Sequence, residues 1–207
     1  MRLRALAAIL TLFMLFVGDS LADDAVRITS DPATHQFPCW SPDGAYIAFN
    51  SDAGGNHDIY IIPSSGGTAV QITTDPAHDS EPAFSPDGQT LAYTSNRSGS
   101  ADIWLVSVYG GSSTQLTFDS TDSFAPSWSP DGTQIAFNSD RDGLYGDYSI
   151  YVMPSAGGSA TQVTPDNMAH DFYPSWSPDG QQIAYISYVM PGDSGVLVVP
   201  PEGGHQP

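Results

Sequence analysis

The sequence has no lysine, a single cysteine and, beyond its first 22 residues, no apolar run long enough to span a bilayer. Five arginines stand against 23 acidic residues, which gives a formal net charge of −18. A surface this acidic repels phosphate groups, so nucleic acids and anionic lipid headgroups are disfavoured as partners. The lone Cys39 cannot form an intrachain disulfide, and its place beside Trp40 indicates a core thiol. Cations, basic protein surfaces and neutral glycans stay open as partners.

The first 22 residues have the pattern of a secretory signal peptide. Arg2 and Arg4 precede an apolar run from Ala5 to Val17, and small residues end the segment at Ala22, as a signal peptidase requires. This run is shorter than the ~20 residues that span a bilayer, so no membrane anchor is predicted. We therefore expect a periplasmic or secreted protein.

A Ser-Pro-Asp-Gly motif occurs four times, at residues 41–44, 85–88, 129–132 and 177–180. Successive copies lie about 44 to 48 residues apart, a period that indicates a repeat architecture. Ser suits the first position of a type I turn, Pro the second and Gly the last. Each copy therefore predicts the same turn between two strands.

Each motif is preceded by an aromatic residue and followed by strand-like segments. In the first repeat these are the alternating run Tyr46–Phe49, the segment Asp58–Ile62 and, after a Gly-Gly turn, the short segment Val70–Thr73. Four short strands per period describe a propeller blade, so we predict an all-β fold, a β-propeller of four four-stranded blades. The residues assigned to this structural repeat are Trp40, Asp43, Gly44, Phe84, Asp87, Gly88, Trp128, Asp131, Gly132, Trp176, Asp179 and Gly180.

The predicted propeller spans residues 23–207, with repeats at about 34–74, 78–118, 122–164 and 170–207. The fourth repeat contains no fourth strand, whereas a spare copy of that strand, Val26–Thr29, lies near the mature N-terminus. We expect residues 25–29 to complete the last blade, which favours a closed four-bladed monomer. The alternative is a homodimer in which two chains share one larger ring and each N-terminal strand completes its partner's last blade.

The order of these motifs is itself informative. Pro-x-Trp-Ser-Pro-Asp-Gly, Ile-Ala-Phe-x-Ser, Asp-Ile-Tyr, Gly-Gly and Gln-Leu-Thr follow one another, and the series resembles the WD-like repeat of TolB-type β-propellers over essentially all of residues 23–207. The resemblance implies a periplasmic propeller that works as a protein-interaction module. It also implies a protein partner in the cell envelope, such as a Pal-like lipoprotein, docked at the channel mouth. TolB-type propellers usually have more blades than the four encoded here.

The repeats differ in the segment that precedes each repeat proline and begins the innermost strand. Functional residues are expected there. The candidate binding residues at this channel mouth are His35, Phe37, His78, Asp79, Glu81, Asp122, Phe124, His170, Asp171, Phe172 and Tyr173. Their aromatic members are either core or an apolar rim for a docked peptide. Imidazole and carboxylate groups that converge from different blades could hold a divalent metal ion, and the candidates are His78, Asp79, His170 and Asp171. The alternative is a polar funnel of solvated side chains, and no cofactor is otherwise required.

The sequence leaves three functions open. The favoured one is a protein-interaction module that uses its acidic channel mouth and has no catalytic residues. The second is a metal-dependent, lyase-like enzyme acting on carbohydrates, for which basic groups are scarce, since only Arg27, Arg97 and Arg141 follow the signal peptide. The third is a glycan-binding propeller with exposed aromatic residues at the mouth.

Overall fold

The computed structural model describes residues 25–142, 146–165, 169–189 and 192–204. Its regular structure over these ranges is entirely β-strand, arranged in four antiparallel sheets that we call blades 1 to 4. The all-β propeller predicted from the repeats is confirmed. The predicted signal peptide, residues 1–22, lies outside the described residues. Within them, no helix has the length and apolar character needed to cross a membrane.

Consecutive strands pair within each blade. Blade 1 contains β1 (His35–Trp40), β2 (Tyr46–Ser51), β3 (Asp58–Pro63) and β4 (Val70–Gln71). Blade 2 contains β5 (Asp79–Phe84), β6 (Thr90–Ser95), β7 (Asp102–Ser107) and β8 (Thr114–Gln115). Blade 3 contains β9 (Ser123–Trp128), β10 (Gln134–Ser139), β11 (Ser149–Pro154) and β12 (Thr161–Gln162). Blade 4 contains β13 (Ala169–Trp176), β14 (Ile183–Val189) and β15 (Asp193–Val199).

The Ser-Pro-Asp-Gly motif forms the same turn in every blade. In blade 1, the Gly44 amide donates to the Ser41 carbonyl at 2.9 Å, and the Ser41 hydroxyl donates to the Asp43 carboxylate at 2.6 Å. Gly44 has a φ of 70°, a left-handed conformation that glycine adopts without steric cost. The hydrogen bond from Ser41, and then that from the Ala45 amide, hold the pKa of Asp43 below its ordinary value. The same hydroxyl bonds recur at Asp87, Asp131 and Asp179, so these acids are turn residues.

The core lies between consecutive blades. Successive side chains of a strand point to opposite sides of the sheet, and in these strands both sides carry apolar residues. The cluster between blades 1 and 2 combines Ala48, Ile59, Ile61 and Ile72 with Leu91, Tyr93 and Val106. Equivalent clusters join blade 2 to blade 3 and blade 3 to blade 4.

Each innermost strand has an irregularity at the same position. The pairing register of β1 shifts between Gln36 and Cys39, and corresponding shifts occur in β5, β9 and β13. The residues at these bulges have positive φ values between 51° and 56°, and they are Phe37, Glu81, Ala125 and Tyr173. A left-handed conformation at a residue other than glycine costs about 1–3 kcal/mol and persists where the surrounding structure imposes it. The bulge is therefore a regular feature of the repeat that the surrounding structure imposes.

The predicted closing strand is not formed. Residues 25–30 contain no strand, and the sheet of blade 4 has three strands in the described part of the chain. Ile28 packs instead on blade 1, beside Phe49, Tyr60 and Ile62. The innermost strands contact one another in the order β1, β5, β9, β13, and among the described residues no contact of comparable extent joins blade 4 to blade 1. In the described part of the chain, the four blades therefore form an arc that these contacts do not close.

Candidate functional site

The four innermost strands converge on a shared opening, here called the axial channel. Its volume is 220 Å³, and each blade contributes its bulge residue and the proline that follows. The lining residues are Phe37, Pro38, Glu81, Pro82, Ala125, Pro126, Tyr173 and Pro174. Of the predicted site residues, Phe37, Glu81 and Tyr173 lie here. Ala125 and the four prolines were missed as lining residues, although their fixed place in the repeat was a usable signal.

Glu81 ties two blades together at this channel. Its carboxylate accepts hydrogen bonds from the Thr94 hydroxyl at 2.8 Å and from the Ala125 amide of blade 3 at 3.0 Å. The Thr94 hydroxyl oxygen also lies 3.2 Å from the same amide. Glu81 therefore helps to impose the bulge of blade 3 while it lines the channel.

Aromatic rings gather beside the channel in blades 3 and 4. This aromatic cluster consists of Phe124, Tyr148, His170, Phe172, Tyr173 and Tyr188. Phe172 lies at its centre, with its ring 5.3 Å from that of Tyr148 and 6.0 Å from that of His170. Tyr173 and Tyr188 leave 51% and 45% of their surfaces exposed. The cluster thus presents aromatic surface to solvent at the channel.

Two members of the aromatic cluster were not predicted from sequence. Tyr188 lies opposite His170 in the pairing of β13 with β14, a register that only the folded sheet reveals. Tyr148 immediately precedes β11, and its ring lies 5.1 Å from that of Phe124 in β9, the innermost strand of the same blade. Neither residue belongs to the segment before a repeat proline, so the repeat pattern does not point to them.

Carboxylates border the aromatic cluster. His170 Nε2 lies 3.5 Å from the Asp147 carboxylate, and His170 Nδ1 accepts a hydrogen bond from the Tyr148 amide at 3.4 Å. Burial, followed by the charges of Asp140 and Asp122, raises the pKa of the Tyr148 phenol. An apolar surface with an acidic border suits a ligand that carries both apolar and cationic groups.

The other predicted acidic residues are buried in the blades or form contacts within and between them. Asp79 is fully buried, and both of its carboxylate oxygens accept hydrogen bonds from Arg97, at 3.0 and 2.8 Å. Asp122 accepts a hydrogen bond from the Ala101 amide at 2.9 Å and so connects blade 3 to blade 2. Asp171 is buried, and this burial raises its pKa.

The predicted histidines lie in different surroundings. His35 lies 3.2 Å from the Asp31 carboxylate and contacts the Phe49 ring edge to face on blade 1. The exposed His78 lies against His57, with 4.7 Å between ring centroids. In the described ranges, no three His, Cys, Asp or Glu side chains are grouped to hold a metal ion. A divalent metal at His78, Asp79, His170 and Asp171 stays a prediction without geometric support.

Two of the three arginines that follow residue 22, Arg97 and Arg141, are engaged within blades. The Arg97 guanidinium lies 4.7 Å from the centroid of the Trp104 ring in addition to its pair with Asp79. Arg141 lies 4.9 Å from the Tyr151 ring centroid and 3.1 Å from the Asp119 carboxylate. Because both guanidinium groups already form ion pairs and contact aromatic rings of the blades, they are poor candidates for holding an acidic sugar at the channel.

Cys39 is expected to react slowly in the native protein. It packs against the core between blades 1 and 2, and burial raises the pKa of its thiol from 9.0 to about 12. The thiolate is the reactive form, so this rise in pKa makes it roughly a thousandfold rarer at pH 8 than in the unfolded chain. Labelling with a thiol reagent should therefore be about 10³-fold slower in native than in denatured protein at pH 8. Equal rates in both states would instead indicate an accessible, reactive cysteine.

The chain is similar to one protein family and to several solved structures. The family described as TolB beta propeller domain matches residues 14–123. The chain is similar to the structure of a putative TolB from Agrobacterium tumefaciens, with 30% identity and a TM-score of 0.75 over 86% of this chain and 66% of that one. It is also similar to TolB from Acinetobacter baumannii, with 26% identity and a TM-score of 0.70 over 83% of this chain and 42% of that one.

A third structure shares the fold alone. Oligogalacturonate lyase from Vibrio parahaemolyticus is 15% identical, with a TM-score of 0.51 over 85% of this chain and 66% of that one. No curated protein sequence matches the chain. The chain therefore spans 66% and 42% of the lengths of the two TolB structures, and about half of it matches the family directly.

Proposed function

This chain belongs to the TolB beta-propeller domain family, and we propose that it acts in the cell envelope as a module that binds a protein partner beside its axial channel. The observation that carries the proposal is the aromatic cluster of blades 3 and 4, in which Tyr173 and Tyr188 are about half exposed. Large aromatic side chains supply much of the binding energy at protein interfaces. The similarity to two TolB structures supports the location in the cell envelope.

The chemistry of the site indicates the kind of partner segment it takes. The chain carries 23 acidic residues, and Asp122, Asp140 and Asp147 lie around the aromatic cluster. A partner segment with apolar and basic side chains would pack on the rings, place its cations over their faces and be steered by the surrounding negative charge. A Pal-like lipoprotein of the cell envelope is the first candidate, on the strength of the family resemblance.

Truncation of the exposed tyrosines tests the proposal. Peptides are first selected for binding to the mature protein, and their affinities for Tyr173→Ala and Tyr188→Ala are then measured by calorimetry. We expect each variant to bind about 30-fold more weakly, as the loss of an aromatic hot spot of ~2 kcal/mol implies. Tyr109→Ala is the matched control, because Tyr109 is 83% exposed in the turn after β7, away from the channel.

The outcomes separate the three functions considered from the sequence. Selected peptides rich in apolar and basic residues, with unchanged affinity for Tyr109→Ala, support protein binding. Binding of a neutral oligosaccharide, but of no peptide, with loss in the same two variants would assign a glycan module instead. Metal-dependent cleavage of an oligosaccharide would point to an enzyme and contradict the proposal.

A further inference from the structure

Blades 1 and 2 enclose a groove, here called the turn-side groove, next to their Ser-Pro-Asp-Gly turns. Its volume is about 760 Å³, within the range of roughly 300–1,000 Å³ that is usual for sites of small organic molecules. Blade 1 lines it with Tyr46, Ile61 and Val70, and blade 2 lines it with Phe84 and Tyr109. Both walls belong to blades that the structure describes, so the groove does not depend on how the propeller continues beyond blade 1 or blade 4.

Contacts between the two blades limit the length of the turn-side groove. At its inner end the Ser-Pro-Asp-Gly turns touch, since a Cβ at Gly88 would lie 3.7 Å from Cδ of Pro42. At its outer end Gly110, with a φ of 77°, brings the Gly-Gly turn of blade 2 against the end of β4, where a Cβ would lie 3.4 Å from the Ile72 carbonyl oxygen. A groove bounded at both ends suits a compact molecule better than an extended chain segment.

Three exposed side chains distinguish this groove from the equivalent positions in the other blades. Tyr46, Val70 and Tyr109 are 47%, 59% and 83% exposed. Their equivalents are smaller or polar: Thr90, Gln134 and Gln182 for Tyr46, Thr114 and Thr161 for Val70, and Ser65, Ala156 and Glu202 for Tyr109. The blade fold therefore does not require these residues, and large apolar side chains gathered at one exposed place mark a binding surface.

The floor of the turn-side groove also differs from the other interfaces between blades. Phe84 ends β5 at the position that Trp128 and Trp176 have in blades 3 and 4. Trp128 Nε1 donates to the Ala83 carbonyl of the preceding blade at 3.1 Å, and Trp176 Nε1 donates to the Ser127 carbonyl at 3.2 Å. A phenyl ring is smaller and has no such donor, so it leaves space between blades 1 and 2 that an indole fills elsewhere.

The rim of the groove is negatively charged. Asp43 and Asp87 line it, and no lining residue is an arginine, lysine or histidine. Oδ1 of each carboxylate accepts hydrogen bonds from a serine hydroxyl and a backbone amide, whereas Oδ2 accepts none in the described part of the chain. The hydrogen bond from the Ser85 hydroxyl, and then that from the Gln89 amide, hold the pKa of Asp87 below its ordinary value. Each turn therefore leaves one carboxylate oxygen available to a cation at the groove.

We propose that the turn-side groove binds a small organic cation, a molecule with an aromatic or aliphatic body and one protonated amine. Its body would pack on Val70 and Phe84, and the ring of Tyr109 would offer a face to the positive charge. Its ammonium group would meet the Oδ2 atoms of Asp43 and Asp87, and the net charge of −18 attracts a cation and repels an anion. No residue that lines the axial channel lines this groove, so the proposal is independent of the partner proposed there.

Two fluorescent probes of opposite charge test the proposal by titration of the mature protein. Dansylcadaverine ends in a protonated amine, whereas dansyl-aminocaproate has the same ring system and linker but ends in a carboxylate. We expect saturable binding of dansylcadaverine, at least about 10-fold tighter than that of the carboxylate probe.

Residues taken from the other blades supply a variant of the apolar wall that is expected to fold. Tyr46→Thr combined with Tyr109→Ser introduces the side chains of Thr90 and Ser65 at the equivalent positions. We expect this variant to bind dansylcadaverine about 10-fold more weakly, because both aromatic faces are lost. Tyr173→Ala is the matched control, since it removes an exposed tyrosine at the axial channel and should leave this affinity unchanged.

A second pair of variants tests the charge of the rim. Asp43→Asn combined with Asp87→Asn removes both charges and keeps the Oδ1 acceptor of each turn. We expect it to weaken dansylcadaverine binding about fivefold, as the loss of close charge pairs in water implies. Asp131→Asn combined with Asp179→Asn is the matched control, because these residues form the same turns in blades 3 and 4 and should leave the affinity unchanged.

The outcomes decide between the groove and other places on the molecule. Weakening confined to the groove variants supports the proposal. Equal affinity for the two probes, the absence of saturable binding, or a loss of dansylcadaverine affinity in Tyr173→Ala instead of the groove variants would overturn it. Selected peptides that lose affinity for Tyr46→Thr with Tyr109→Ser, but not for Tyr173→Ala, would show that a protein segment occupies the groove and would also overturn it.

Discussion

Trp128→Ala is expected to lower the free energy of unfolding by about 3–5 kcal/mol, the usual cost of truncating a large aromatic side chain in a core. The indole packs in the core between blades 2 and 3, and its Nε1 donates to the Ala83 carbonyl at 3.1 Å. Its loss removes apolar contact from both blades and a hydrogen bond between them. Denaturant unfolding measures the effect, which for a chain of this size corresponds to a fall in Tm of roughly 6–20 °C.

Trp128→Phe is the matched control, because Phe84 occupies the equivalent position at the end of β5. It keeps a ring in the interface and removes the hydrogen bond, so we expect a loss of about 1 kcal/mol. An unchanged Tm for Trp128→Ala would show that the contact between blades 2 and 3 does not depend on the indole. A native stability of about 5–15 kcal/mol leaves little margin for a loss at the upper end of the expected range.

Arg97→Ala is expected to cost about 3–5 kcal/mol of unfolding free energy, as removal of one partner of a buried ion pair does. Asp79 is fully buried, and its carboxylate depends on the two hydrogen bonds from Arg97, at 3.0 and 2.8 Å. Without the guanidinium, the charge of Asp79 remains buried and uncompensated. Chemical denaturation of the variant and the native protein at neutral pH measures the difference.

A double variant shows whether the ion pair is the cause. Blade 3 has Ser123 at the position of Asp79, and its hydroxyl accepts a hydrogen bond from Arg141 at 3.2 Å. Asp79→Ser combined with Arg97→Ala leaves no buried charge, so we expect it to recover at least half of the stability lost in Arg97→Ala. Equal losses in the two variants would show that the packing of Arg97 on Trp104 carries the effect instead.

The local features of the blades were predictable because short segments encode them. The Ser-Pro-Asp-Gly turns, the strand that follows each turn and the Gly-Gly turns depend on residues within a few positions of one another. Because that local pattern repeats four times, it predicts the all-β propeller. Phe37, Glu81 and Tyr173, which were predicted to lie at the channel mouth, line the axial channel because the residue before the repeat proline holds the same position in every blade.

The features that the sequence did not predict depend on contacts between segments that are distant in the chain. The supposed ring of histidine and aspartate required all four blades to face a narrow axis, but Asp79 points to Arg97 within its own blade and His78 lies against His57. Tyr148 joins the aromatic cluster through the packing of blade 4 on blade 3, where its ring lies near those of His170 and Phe172. Tyr188 joins it through the pairing of β13 with β14 inside blade 4. No local pattern encodes such neighbours.

The sequence by itself determined the blade, since turn geometry and alternating apolar residues act over short range and repeat four times. Only the tertiary structure decided how the blades are arranged as a set. Apolar residues of consecutive blades pack into shared clusters, and in the described residues no such cluster joins blade 4 to blade 1, so Val196 and Trp40 stay exposed. How the blades meet depends on the packing of all of them together, which no single repeat encodes.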